Sequence, residues 1–201
     1  INSSSYASAY RELASERGIT HFKIALEAFS SAGLYIEVAE IALKKQLKDN
    51  KANEVSIVQI FNPMTGKGMN SPKANSIGMG QEKAPLVLEA LKYAGWFVGA
   101  VTVTPKGSKD LKVLVVQTAQ FDIDSIERVM QDFRRSFTGG GAIQVDILAA
   151  LTLTETLLQY HEAQEADWMN PAKVITGFQT AYFQNLGSAK GVTNISFIAL
   201  P

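Results

Sequence analysis

The 201-residue chain carries nineteen Lys and Arg against nineteen Asp and Glu, so its formal charge is zero. Charged residues make up 19% of it, below the roughly 25% usual in soluble domains, while 46% are hydrophobic. These figures exclude a disordered chain, which lacks apolar residues, a disulfide scaffold or thiolate metal protein, since cysteine is absent, and a histone-like electrostatic binder, which needs a basic excess.

The N-terminal segment, Ile1 to Ala52, reads as helical. Tyr6–Arg17 has the pattern of a short helix stopped by Gly18, with Thr20 as the N-cap of the next and Ile19 and Ile24 at the spacing of a hydrophobic staple. That second helix places Phe22, Ala25, Leu26 and Phe29 on one face and ends at Gly33. Leu34–Leu47 continues with a stripe of Leu34, Val38 and Ile41, closed by Asp49-Asn50-Lys51.

From Asn53 to Pro201 follows an α+β core, expected to form one continuous domain with the helical segment. Val55–Phe61 reads as a strand buried on both faces. A long loop follows, Asn62–Gly80, and then a helix with Pro85 in its first turn that runs to Ala94 and stops at Gly95. Trp96–Thr104 and Leu111–Thr118 have strand composition, and the polar loop Pro105–Asp110 between them is short enough to force antiparallel pairing. Asp124 and Glu127 form a capping box for a helix with the apolar stripe Ile126, Val129, Met130, Phe133 and Phe137.

After the break Thr138–Gly141, Ile143, Val145 and Ile147 read as a short strand or the approach to a helix carrying Leu151, Leu157 and Leu158. Asn170-Pro171 has the signature of a last helix start, with Val174, Phe178, Ala181 and Tyr182 inward and Gly187 as its stop. Thr193, Ile195, Phe197 and Ala199 alternate as a C-terminal strand. With no regular βαβ alternation, the expected fold is α+β: a helical N-terminal segment followed by a small, mostly antiparallel sheet packed with helices.

No complete catalytic constellation, cofactor motif or metal-binding motif appears. Lys67 and Lys73 lie in the glycine-rich loop, where backbone N–H groups can turn toward an anion, but the phosphate-loop spacing is absent. His161 and Glu165 make His-Glu-x-x-Glu, which lacks the second histidine that gives the zinc-hydrolase motif its specificity. Asp110-Leu111-Lys112 has the D-x-K spacing of metal-dependent nucleases, yet Trp96–Thr104 before it contains no acidic residue. Lys106, Lys109 and Lys112 are expected to make the hairpin tip soluble, and Arg134-Arg135 suits a helix C-terminus, where cations complement the dipole.

Low charge with a large apolar content is the pattern of a subunit whose surface is shielded by neighbours. The expectation is therefore a non-enzymatic, self-associating structural protein, a homo-oligomeric subunit of a virion, tube or filament. The alternative is a single-stranded nucleic-acid binder using Lys67, Lys73, Lys106, Lys109, Arg134 and Arg135. Residues Ile1–Ser5 carry no signal-peptide features and no apolar run is long enough to span a bilayer. A cytoplasmic or virion-associated location is the most compatible with these features and the missing cysteine.

Overall fold

The computed structural model describes residues 11–32, 36–58, 60–63, 83–118, 123–163, 175–187 and 190–200. In chain order the elements are helices α1 (Glu16–Ala32) and α2 (Ile36–Asp49), strands β1 (Glu54–Ser56) and β2 (Lys83–Pro85), helix α3 (Leu86–Gly99), strands β3 (Ala100–Val103) and β4 (Leu111–Thr118), helices α4 (Ile123–Ser136) and α5 (Val145–Ala163), and strands β5 (Ile175–Asn185) and β6 (Lys190–Ala199). The fold is α+β, a helical N-terminal region followed by antiparallel sheet. The chain divides into two compact units, Ile1–Phe61 with Gly78–Tyr93 and Asn62–Ile77 with Ala94–Pro201, so that one boundary falls within α3 after Tyr93. No helix among the described residues is long and apolar enough to cross a membrane.

In the first unit α1 packs on α2 around Ala25, Leu43, Leu47, Val87 and Leu88. The start of α1 is set by Ser15, whose hydroxyl accepts the Gly18 N–H at 3.2 Å. Gly18 is therefore inside the helix and does not stop it. A Cβ there would run into the carbonyls of Glu12 and Leu13, so the residue is glycine for close approach of backbone. Thr20 is likewise interior, its hydroxyl donating to the Glu16 carbonyl at 2.9 Å, and Ile19 is half exposed where a staple would bury it.

Only part of the expected apolar face of α1 is buried: Ala25 is enclosed, but Leu26 and Phe29 are exposed. On α2 the face turned inward is that of Leu43 and Leu47, and Ile41 points to solvent. Gly33, Leu34 and the Val38 side chain lie outside the described residues. The expected closure at Asp49–Lys51 is present and takes a specific form. Lys51, at φ 54°, donates to the Lys48 carbonyl while Ala52 donates to that of Leu47, the paired bonds of a Schellman cap.

The extended region after α2 is shorter than expected. Among its described residues Glu54–Ser56 alone forms a strand, paired antiparallel with β2 in a ribbon of two. Strand β1 is exposed or half-buried, whereas β2, which packs on α2, buries Ala84 and Pro85. Pro85 ends β2 directly before α3 begins. Glu89 in the first turn of α3 is buried, where its carboxylate accepts the Val58 N–H at 3.1 Å and pairs with Lys92 at 3.0 Å.

The second unit is a four-stranded antiparallel sheet in the order β3-β4-β5-β6 with α4 and α5 packed on one face. Two expectations fail here. Helix α3 continues through Gly95 to Gly99, so Trp96 and Phe97 are helical and only Ala100–Val103 is strand. More consequentially, β5 replaces the expected last helix. Residues 164–174, Asn170-Pro171 among them, lie outside the described set, but Ile175–Asn185 is an eleven-residue strand lying between β4 and β6. Gly187 sits in the β5–β6 turn and ends no helix.

The antiparallel β3–β4 hairpin and the C-terminal strand are as expected. Cross-strand partners share a face, so the pairs Val101–Leu114, Leu114–Thr180 and Val116–Phe178 define the side that meets the helices. There Leu114 and Phe178 join Ile126, Val129, Met130 and Phe133 of α4 and Ala149, Leu153 and Leu157 of α5 in one core. The stripe expected on α4 is thus the one buried, with Phe137 stacked on Phe133 at 5.0 Å between ring centroids. Residues 143–147 are the lead-in and first turn of α5 rather than a strand.

Gly177 allows β5 to approach β6 closely, since a Cβ there would meet the Ile198 carbonyl and the Phe197 ring.

Candidate functional site

Three features of the second unit bear on function. The first is a polar group at the end of the sheet where the β3–β4 loop lies. Asp110, just before β4, accepts the Tyr182 hydroxyl at 2.5 Å and the Asn185 N–H at 2.8 Å. Two residues on, Lys112 does not join Lys106 and Lys109 at a solvated hairpin tip: it is 5% exposed on the helix side of β4, beside Tyr182, because strand alternation turns it inward. It is held by Asp146 in the first turn of α5, an ion pair in which the carboxylate is about a third exposed. A strand puts Asp110 and Lys112 on one face, as the D-x-K spacing implies. The second acidic residue comes from a helix, and each of these groups already has a structural partner.

This arrangement affects Tyr182. Hydrogen bonding to Asp110, burial and the nearby carboxylate charge push its phenol above the ordinary range, opposed by a hydrogen bond from Ser108. A phenol raised in the folded state contributes stability that is fully present below its unfolded value near about 10 and is lost as pH rises through the higher folded value. We expect Asp110→Asn to return this titration toward the ordinary range. Alkaline tyrosinate absorbance, with Tyr182→Phe to assign the signal, measures it; identical curves for Asp110→Asn and the parent would refute the coupling.

The second feature concerns the basic residues. The backbone N–H of Lys106 donates to the Gly140 carbonyl at 3.0 Å, which holds the β3–β4 loop against the segment following α4. Lys106 and Lys109, both exposed, thus lie at the same end of the unit as that segment. Arg134 is engaged elsewhere. Its Nη2 fans across the carbonyls of Phe97, Val98 and Ala100 at 2.7, 3.0 and 3.1 Å, closing the C-terminus of α3 where that helix becomes β3. Burial holds the guanidinium below its usual value, partly countered by Glu127. Arg134 also lines an open depression of about 390 Å³ with Trp96, Phe97, Ala100, Val101 and Thr102. Arg135 is solvent-exposed and paired with Asp132 at 3.0 Å. Lys67 and Lys73 lie outside the described residues, as do Glu165 and the side chain of His161. Among the described residues no group of three or more His, Asp or Glu is placed to hold a metal ion.

The third feature is α5. Its inner side buries Val145, Ala149, Leu153 and Leu157. Its outer side carries Ile147, Leu148, Leu151 and Leu158 at 61%, 39%, 54% and 58% exposure, and Ile143 before it is 89% exposed. Spacings of one, four and eleven residues put the four helical ones along one flank. Nothing among the described residues covers this stripe. The sequence predicts a helix carrying these leucines without separating its two sides. The available signal was that the helix is apolar all round, a composition that normally means burial on every side.

No protein-family model, curated protein or solved structure matches the chain.

Proposed function

We propose that the protein is a non-catalytic structural subunit that self-associates into a larger homo-oligomeric particle, of the virion, tube or filament kind. The observation that carries this reading is the outer stripe of α5, with Ile143, Ile147, Leu148, Leu151 and Leu158 exposed and covered by nothing among the described residues. Contiguous exposed apolar surface of this sort marks an interaction site. The low charge and zero net charge of the chain fit a surface that is largely covered in the assembled state.

The polar residues favour the same reading over catalysis. Tyr182 donates to Asp110 within the sheet and Lys112 pairs with Asp146 of α5, contacts that suit holding the sheet and α5 together. The nucleic-acid alternative has weaker support: Arg134 is committed to backbone carbonyls and Arg135 to Asp132.

Light scattering coupled to size exclusion across a concentration series tests the proposal. The parent chain is expected to grow in mass with concentration. Ile147→Glu with Leu151→Glu, both at exposed positions, is expected to weaken association on the order of a hundredfold, since each buried aliphatic side chain contributes roughly 1.5–3 kcal/mol. A parent chain that stays monomeric at high concentration sinks the reading.

A further inference from the structure

We propose that the partner is a second copy bound along β6, so that two four-stranded sheets join across a two-fold axis into one continuous antiparallel sheet. The inference rests on the self-association proposed above and adds its geometry. The sheet has two edges, and they are unequal. Strand β3 has four residues, and the carbonyl of the first, Ala100, is already taken by Arg134. Strand β6 has ten residues, and no described strand pairs with its outer side.

Natural edge strands are blunted by charges, prolines, shortness or bulges. Strand β6 has Lys190 at its start and a bulge at Thr193, where Tyr182 pairs with Asn194 and Phe183 with Val192, but from Asn194 to Ala199 it carries no charge, no proline and no register shift. Such an edge offers no charge pattern with which to select a different chain. It meets its own copy without like-charge repulsion, and Thr193, Asn194 and Ser196 supply neutral polar side chains along it. A two-fold axis normal to the sheet makes β6 antiparallel to its counterpart and uses the same surface on both copies. It also keeps the helices of both copies on one side of the joined sheet. Helix α5 packs on β6, so its apolar stripe belongs to the helix at the joining edge. Head-to-tail pairing of β6 with β3 would instead use a short, partly capped strand and leave most of β6 unpaired.

The chain has no cysteine, so single cysteines are unique probes. In the full-length chain we would scan them from Thr193 to Ile198, with Thr102→Cys on β3 as the reference, and follow disulfide-linked dimer under mild oxidation. Residues facing each other across an antiparallel pair have the Cα separation that a disulfide needs. The expected result is a maximum within β6 that marks where the axis crosses, at least about tenfold faster than Thr102→Cys. Amide hydrogen exchange of the unsubstituted protein adds a second readout: alternate β6 amides gain protection as concentration rises. Crosslinking through β3 as fast as through β6 would overturn the two-fold arrangement. A chain that associates by light scattering, yet protects no β6 amide and gives no β6 crosslink, overturns the pairing and leaves the α5 reading standing. A monomer at every concentration overturns both.

Discussion

Asp146→Ala is expected to destabilise the second unit by about 3 kcal/mol, toward the low end of what breaking a buried ion pair costs. The reasoning lies in the asymmetry of the pair. Lys112 is almost fully enclosed on the helix side of β4, whereas Asp146 is about a third exposed. Removing the carboxylate leaves a buried ammonium without its ion-pair partner. Removing the ammonium leaves Asp146 Oδ1 enclosed without a partner while the rest of the carboxylate meets water, so Lys112→Met is expected to cost less than Asp146→Ala, about 1–2 kcal/mol. Adding Lys112→Met to Asp146→Ala should recover most of the loss. Urea denaturation of the four chains measures this as a double-mutant cycle. Equal losses for both single variants would show that burial of Lys112 is not what decides the effect.

Phe133→Ala is expected to cost about 3–5 kcal/mol, the range for truncating a fully buried aromatic residue. Phe133 is fully buried between Phe137, stacked at 5.0 Å, and Phe178, tilted at 5.4 Å. One ring thereby joins α4 to β5, so its loss opens a cavity between helix and sheet. Phe133→Leu retains most of the volume and should cost about 1–1.5 kcal/mol. The midpoint of urea denaturation should fall with an unchanged slope. A loss under about 1 kcal/mol for Phe133→Ala would mean that α4 does not pack on this sheet.

The contrast between α4 and β5 explains how much was legible in the chain. Helix α4 buries one side only, so Ile126, Val129, Met130 and Phe133 recur at helical spacing against polar residues, and the pattern names both the helix and its inner face. Strand β5 has buried residues on both faces, Phe178 and Thr180 on one and Ala181 and Phe183 on the other. That removes the alternation by which a strand is recognised. Val174, Phe178, Ala181 and Tyr182 then match a helix by accident of spacing, and Asn170-Pro171 reinforces the mistake. The density of β-branched and aromatic residues in Ile175–Phe183 was the better guide. Trp96–Val98 failed in the opposite sense, since its strand-like composition was overridden by an established helix that Arg134 closes one turn later.

Among candidate sites, the spacing of Asp110 and Lys112 is local and puts both on one face, but the burial of Lys112, expected at a soluble hairpin tip, depends on α5 packing over β4. Their partners Tyr182 and Asp146 were not legible, since tertiary structure alone brings them near. For the same reason Arg134 was assigned to the end of its own helix, when the carbonyls it serves belong to α3 and the start of β3.

The ordering of the sheet has a consequence for how the chain acquires its structure. Strand β4 finds its inner neighbour late: the bonds from Thr176 and Gln179 to Gln117 span 59 and 62 residues, and that from Asn185 to Asp110 spans 75. Contacts this distant close a large loop before they return any stabilisation, which slows folding. During synthesis the β3–β4 hairpin emerges well before β5, leaving the flank of Leu111–Thr118 unpaired. Helices α4 and α5 appear in that interval and can shield Leu114 and Val116 while β5 is awaited. A nascent chain halted before Ile175 should therefore be captured by chaperones more strongly than one released after Ala199.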